Sequence, residues 1–114
     1  MPERRYHPRV HTSQPVLYYR EVSPRPKVGS VIDLSPAGAA IETPYSLEEG
    51  EAIAISIALG PRVFSCKAKV LYTLWSESKR LRVGLGFERI SIEDRLLLGQ
   101  YLRSKEKVTN PDPL

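Results

Sequence analysis

The chain holds one cysteine, one methionine, one tryptophan and two histidines among its 114 residues. A lone cysteine, Cys66, excludes an internal disulfide and a cysteine-rich zinc site. No apolar run is long enough to cross a bilayer as a helix. The N-terminus opens with charge where a secretory leader would carry an apolar stretch, so a cytoplasmic protein is expected. His7 and His11 stand four apart, but Pro8 denies them a shared helix and no third ligand is near, so no metal site is expected. There is no phosphate-cradling glycine loop, no histidine paired with an obvious nucleophile, and no motif of paired carboxylates. An enzyme is therefore not expected.

What is present reads as one small, mainly β domain. Apolar residues make up 41% and charged residues 26%, ordinary for a globular protein with its own core. Residues 15–22, "PVLYYREV", have strand character, with "SPRP" at 23–26 as a turn. Residues 27–34, "KVGSVIDL", are read as a second strand. Val28, Ile32 and Leu34 would share one face, and Val31, Asp33 and Ser35 the other. "SPAG" suits a type I turn, and "AAIET" continues as a short strand. Residues 52–59 alternate, with Ile53, Ile55, Ile57 and Leu59 as the large face. Residues 62–75 read as a long, bent strand, on which Cys66 is a small core residue between Phe64 and Ala68. After the "SESK" connection, residues 80–88 alternate again, Leu81, Val83, Leu85 and Phe87 pointing inward and Arg82, Gly84, Gly86 and Glu88 outward.

The period then changes. Ser91 is a good N-cap, Glu93 and Asp94 fall in the first turn, and Leu97/Tyr101 and Leu98/Leu102 stand four apart. This predicts an amphipathic helix of three to four turns. Six short strands and a terminal helix suggest a small antiparallel barrel or sandwich, one domain over residues 1–104, with residues 1–11 as a flexible arm and 105–114 as a tail.

The basic excess is concentrated. Residues 1–30 carry six basic side chains against two acidic ones, and the remaining residues carry eleven of each. "RRYHPRV" supplies Arg4, Arg5 and Arg9 on a segment with no apolar period and a proline in the middle. It reads as an arm that is mobile when free: on charge alone a solvated basic tail, and alternatively a set of guanidinium groups for an anionic partner.

Two weak motifs gain meaning from their order. Arg5 and Arg9 form R-x-x-x-R in "RYHPR". Asp33, Ser35 and Gly38 form D-x-S-x-x-G in "DLSPAG", about twenty-five residues on. With a late "GLGF" at 84–87, the sequence resembles the PilZ domain family over nearly its whole length. The resemblance implies a six-stranded barrel with a C-terminal helix, and a receptor for cyclic di-GMP. The residue chemistry is compatible. A guanidinium matches the O6 and N7 acceptors of guanine bidentately and also clamps phosphate. Asp33 can accept from the donor edge of guanine, Ser35 can serve base or phosphate, and Gly38 allows a tight turn and close approach. Gly84 and Gly86 either flatten the outer surface or mark a bulge in a tight barrel, and both readings stay open. Within the family an arginine just before R-x-x-x-R tends to accompany two intercalated ligand molecules, so Arg4 implies two per chain. The downstream protein partner is unspecified. The competing reading is a barrel that binds single-stranded nucleic acid, or one that serves only as a protein scaffold. Tyr18 and Tyr19 are adjacent, so only one can face outward, and the stacking platform such nucleic-acid barrels use is not evident.

Overall fold

The computed structural model describes residues 10–109, and the side chains of residues 10–105. Seven strands and one helix follow in order: β1 (Val10–His11), β2 (Pro15–Arg20), β3 (Ser23–Leu34), β4 (Gly38–Thr43), β5 (Ala52–Leu59), β6 (Arg62–Trp75), β7 (Leu81–Arg89) and α1 (Ile92–Thr109). All pairings are antiparallel. Strands β3-β2-β5-β6-β7-β4 run in sequence around the sheet, and β3 pairs with β4 to close a six-stranded barrel. The predicted fold class is the one observed.

The seventh strand was not foreseen. Val10 and His11 pair with Leu34 and Asp33, on the same edge of β3 that carries β2 further along. Two backbone bonds bridge the gap between them, Thr12 N–H to the Ile32 carbonyl at 2.9 Å and Val31 N–H to the Gln14 carbonyl at 2.8 Å. Val10 is buried in the core. The last two residues of the predicted arm thus belong to the sheet, and residues 1–9 lie outside the described residues.

Alternation located most of the core correctly. Ile53, Ile55, Ile57 and Leu59 are all buried, as are Leu81, Val83 and Leu85. Phe64 and Phe87 meet inside at 5.2 Å between ring centroids. Tyr18 is fully buried and its hydroxyl is satisfied by Thr43 Oγ1 at 2.8 Å. Cys66 packs against this core, as expected.

On β3 the expected faces are wrong. Val31 is in the core while Val28 is 56% exposed and Ile32 is only half-buried. A bulge between Val31 and Asp33 supplies the reason. It inserts Ile32 as an extra residue and resets the alternation, so that both Val31 and Leu34 face inward. The "SPRP" turn is also displaced. Those four residues open β3, and the two-residue turn is Glu21–Val22. The β2–β3 register shifts between Tyr18 and Arg20, and such irregular pairing tolerates Pro24 and Pro26.

α1 starts where predicted. The Asp94 N–H donates to Ser91 Oγ at 3.0 Å, a side-chain cap for an otherwise orphan donor. Leu98 and Leu102 are buried against the barrel, with Leu97 and Tyr101 packed beside them. The helix runs to Thr109, longer than the expected three to four turns and past the start of the predicted tail. Gln14 Nε2 donates to Tyr101 Oη at 2.8 Å and to the Ala58 carbonyl at 3.0 Å, joining the β1–β2 segment to the helix and to β5.

Candidate functional site

Register brings the two described glycine motifs together. β4 pairs with β3 on one side and β7 on the other. One row across the sheet is Leu34, Ala39 and Leu85, all in the core cluster. The next row, on the opposite face, is Asp33, Ala40 and Gly84. Gly38 pairs with Gly86. The outer face of the barrel here is built from residues with little or no side chain, so it forms a shallow floor of about 130 Å³ beside the Ser35–Gly38 turn. Neither Gly84 nor Gly86 is the extra residue of a bulge: the β6–β7 pair carries its extra residues at Leu71 on β6 and Glu88 on β7.

The turn is held by Ser35. Its N–H donates to the Gly38 carbonyl at 2.9 Å. Its Oγ accepts from the Ala37 and Gly38 N–H groups, each at 3.3 Å. Neither Pro36 nor Ala37 has a positive φ, in keeping with the type I turn the sequence suggested. Gly38 is required by proximity: a Cβ there would run into the Leu85 backbone carbonyl.

Asp33 is expected to face outward. It lies on the outer face but is only 6% exposed. The Arg82 guanidinium approaches it, with Nη2 at 3.8 Å from Oδ2. Arg82 itself stays 41% exposed on its side chain. Its outward alternation was legible in the sequence, but its proximity to Asp33 depends on the β3–β4–β7 register.

Tyr72 is the other residue that sequence reasoning missed. It pairs with Gly84 across β6 and β7, and its ring lies where a Cβ on residue 84 would be. A bulge between Val70 and Tyr72 turns it outward next to Leu71, which lies over Gly86. The bulge breaks the strand period, so no alternation count would have placed it. With 43% of its surface exposed, the Tyr72 ring covers the Gly84 part of the floor and stays open to solvent.

Arg4, Arg5 and Arg9 lie outside the described residues. Their covalent neighbourhood does not. Val10, next to Arg9, is paired with Leu34, next to Ser35. The end of R-x-x-x-R is thus attached one residue from a position hydrogen-bonded beside D-x-S-x-x-G.

A larger hollow, about 630 Å³, opens near Arg20, Glu21, Glu48, Glu49 and Glu51. Its only basic group among these is already committed, since Arg20 binds Glu51 in a fork that includes an Nη2–Oε1 bond of 3.1 Å. Burial pushes the Glu51 carboxyl up, but its bonds from Arg20 and from the Glu48 N–H outweigh this and hold it below the ordinary carboxylate value. The hollow repels anions despite its size. Among the described residues no cluster of His, Cys, Asp and Glu could hold a metal ion, and no helix is long and apolar enough to cross a membrane.

Comparison with solved structures agrees with this architecture. Bacillus subtilis inhibitor of motility (MotI/DgrA) superposes with a TM-score of 0.79 at 20% identity, covering 95% of this chain and 54% of that one. The PilZ domain of YcgR from Escherichia coli, solved with c-di-GMP, gives 0.73 at 18% identity over 95% of both chains. The K. pneumonia MrkH–c-di-GMP complex gives 0.77 at 13% identity, covering 96% of this chain and 55% of that one. The chain therefore spans about half the length of MotI and MrkH. No curated protein matches the sequence. The PilZ domain model matches residues 3–104, and the chain belongs to the PilZ domain family.

Proposed function

We propose that this protein is a cyclic di-GMP receptor that acts as an adaptor, without catalytic activity, for an unidentified downstream protein. The observation that carries the reading is the β1–β3 pairing. It pairs Val10, the residue that follows Arg9, with Leu34, which lies between Asp33 and Ser35. The two relatives solved with c-di-GMP support the ligand assignment through a shared fold.

The chemistry divides among the residues. Asp33 accepts from N1 and N2 of a guanine. Ser35 serves a phosphate or base with its hydroxyl, exchanging for it the bonds that Oγ makes within the turn. Tyr72 supplies a ring face against which a base stacks. The floor is too shallow to enclose a dinucleotide, so Arg4, Arg5 and Arg9 supply the remaining contacts as charge-assisted forks to phosphate and guanine. Ligand orders these residues, and the surface change near β1 is the signal. Arg4 provides the extra guanidinium that a stacked pair of ligands needs, giving two molecules per chain.

Calorimetric titration with cyclic di-GMP tests the reading. Saturable binding that excess oligonucleotide does not displace is expected. Absence of binding would overturn it and favour the protein scaffold, and displacement by oligonucleotide would overturn it and favour the nucleic-acid barrel.

A further inference from the structure

β6 is longer than its partner on one side. β5 pairs with it from Arg62 to Lys69. The last bonds on that edge join Val70 to Glu51 at 2.9 Å and Gly50 to Val70 at 2.7 Å. Beyond them, Leu71–Trp75 pairs only with β7 among the described residues. The Ser76 N–H donates to the Arg80 carbonyl at 2.8 Å. In an antiparallel ladder the bonded pairs alternate, so Leu74 and Tyr72 bond toward β7. The N–H and C=O groups of Thr73 and Trp75 point to the open side. The β6–β7 hairpin therefore projects past the closed barrel with one bare edge.

Bare edges are normally blunted by charge or proline. The sequence Leu-Tyr-Thr-Leu-Trp has neither. Leu71, Leu74 and Trp75 are 58%, 62% and 53% exposed. We propose that this edge pairs with the same edge of a second copy of the chain, antiparallel, about a two-fold axis near Thr73 and Leu74.

Three features select that occupant. The segment has large apolar residues on both sides of Thr73, so an antiparallel copy meets apolar groups along the whole contact. Lys69 is exposed before the segment and Glu77 after it. Antiparallel pairing brings each copy's Lys69 toward the other's Glu77, whereas a parallel pair would juxtapose like charges. The arrangement is also self-closing, since one symmetric contact satisfies both bare edges and leaves none to extend. The contact is short, so the dimer is weak and depends on concentration.

Sedimentation velocity of the full chain without nucleotide, over a concentration series, is expected to show reversible dimerisation. Trp75 is the sole tryptophan, so its emission should move to shorter wavelength along the same series. Thr73→Pro deletes an outward N–H and leaves the β6–β7 ladder its bonds. Leu74→Lys places a charge at the two-fold axis on an already exposed side chain. Each variant is expected to stay folded by thermal melting and to sediment as a monomer. A monomer at every concentration overturns the proposal. So does a dimer in which Trp75 emission stays unchanged, or one that Leu74→Lys retains, whether or not Thr73→Pro folds.

Discussion

Asp33 separates ligand recognition from fold stability better than any other site residue. Its carboxylate is 8% exposed on the side chain, and Arg82 stands 3.8 Å from it. Asp33→Ala removes the acceptor for a guanine donor edge that binding desolvates. Leaving such a donor unpaired costs about 1–3 kcal/mol, which corresponds to roughly a tenfold to hundredfold loss of affinity. The cost to the fold is smaller. Arg82 is the ion-pair partner on β7, and its 41% exposure lets water solvate it, so the loss of that pair is worth about 1 kcal/mol or less. For a domain of this size that moves the melting temperature by no more than about 8 °C. Calorimetry with cyclic di-GMP and a thermal melt on the same sample read the two effects apart. Asp33→Asn, which keeps an acceptor oxygen and loses the charge, should fall between wild type and Ala in affinity. Wild-type affinity in a folded Asp33→Ala protein would remove this residue from the site. A melt that collapses instead would show Asp33 to be a structural residue and refute the division drawn here.

Arg4→Leu should lower the ligand ratio from two toward one while keeping some affinity, and saturation of the unmodified protein at one ligand per chain would refute the role given to Arg4. Gly84→Ala pushes into the Tyr72 ring, which is 43% exposed and able to swing away; affinity should fall while stability drops by only about 0.5–1 kcal/mol. Gly38→Ala meets the immovable Leu85 carbonyl instead and should cost about 1–3 kcal/mol of stability by denaturant titration. Burial, helped by Asp94, pushes the Cys66 thiol up to about 12, against about 8.5 when unfolded. The fold thus favours the neutral thiol, and its contribution is complete below about pH 8.5 and lost as pH rises toward 12. Thiol-directed reagents should label the folded protein slowly at mildly alkaline pH, and rapid labelling would contradict this.

Legibility followed the regularity of the local period. β5 runs Ala52–Leu59, the residues its alternation marked, because nothing interrupts its pairing with β6. The helix start was legible because Ser91 and Asp94 make a local cap that needs no tertiary partner. Bulges defeated the reading elsewhere. The extra residue at Ile32 inverted the expected faces of β3, and the one at Leu71 hid Tyr72. A bulge is set by the neighbouring strands and leaves no mark in the composition of its own. Asp33, Ser35, Gly38, Gly84 and Gly86 were named from motif spacing. Their assembly into one surface, and the place of Arg82 beside them, needed the β3–β4–β7 register. β1 was missed because two residues between an arginine segment and a threonine carry no period at all.

The barrel's own packing explains why a site of this kind must sit outside it. Val16, Ile41, Ile57, Phe64 and Val83 are fully buried inside, and a barrel this narrow is filled by such side chains. No ligand-sized space remains at the axis. On the outer face, side chains normally stand proud of the sheet and hold a flat aromatic ligand away from the backbone. Gly38, Ala40, Gly84 and Gly86 raise no such obstacle of their own in one patch, although Leu71 and Tyr72 of β6 lie over its two β7 glycines. A flat patch gives area but little enclosure, so tight binding there requires something to close over it. On the reading proposed here the arginine segment does so. Its attachment is the rigid part, because Val10 is held in the core and Thr12 and Gln14 are bonded to β3. Gln14 also holds Tyr101 on α1. In the proposed receptor, a contact made by the chain before Val10 is therefore felt at a fixed point shared by the sheet and the helix. In that receptor, the placement couples occupancy of an external site to the surface a partner protein meets.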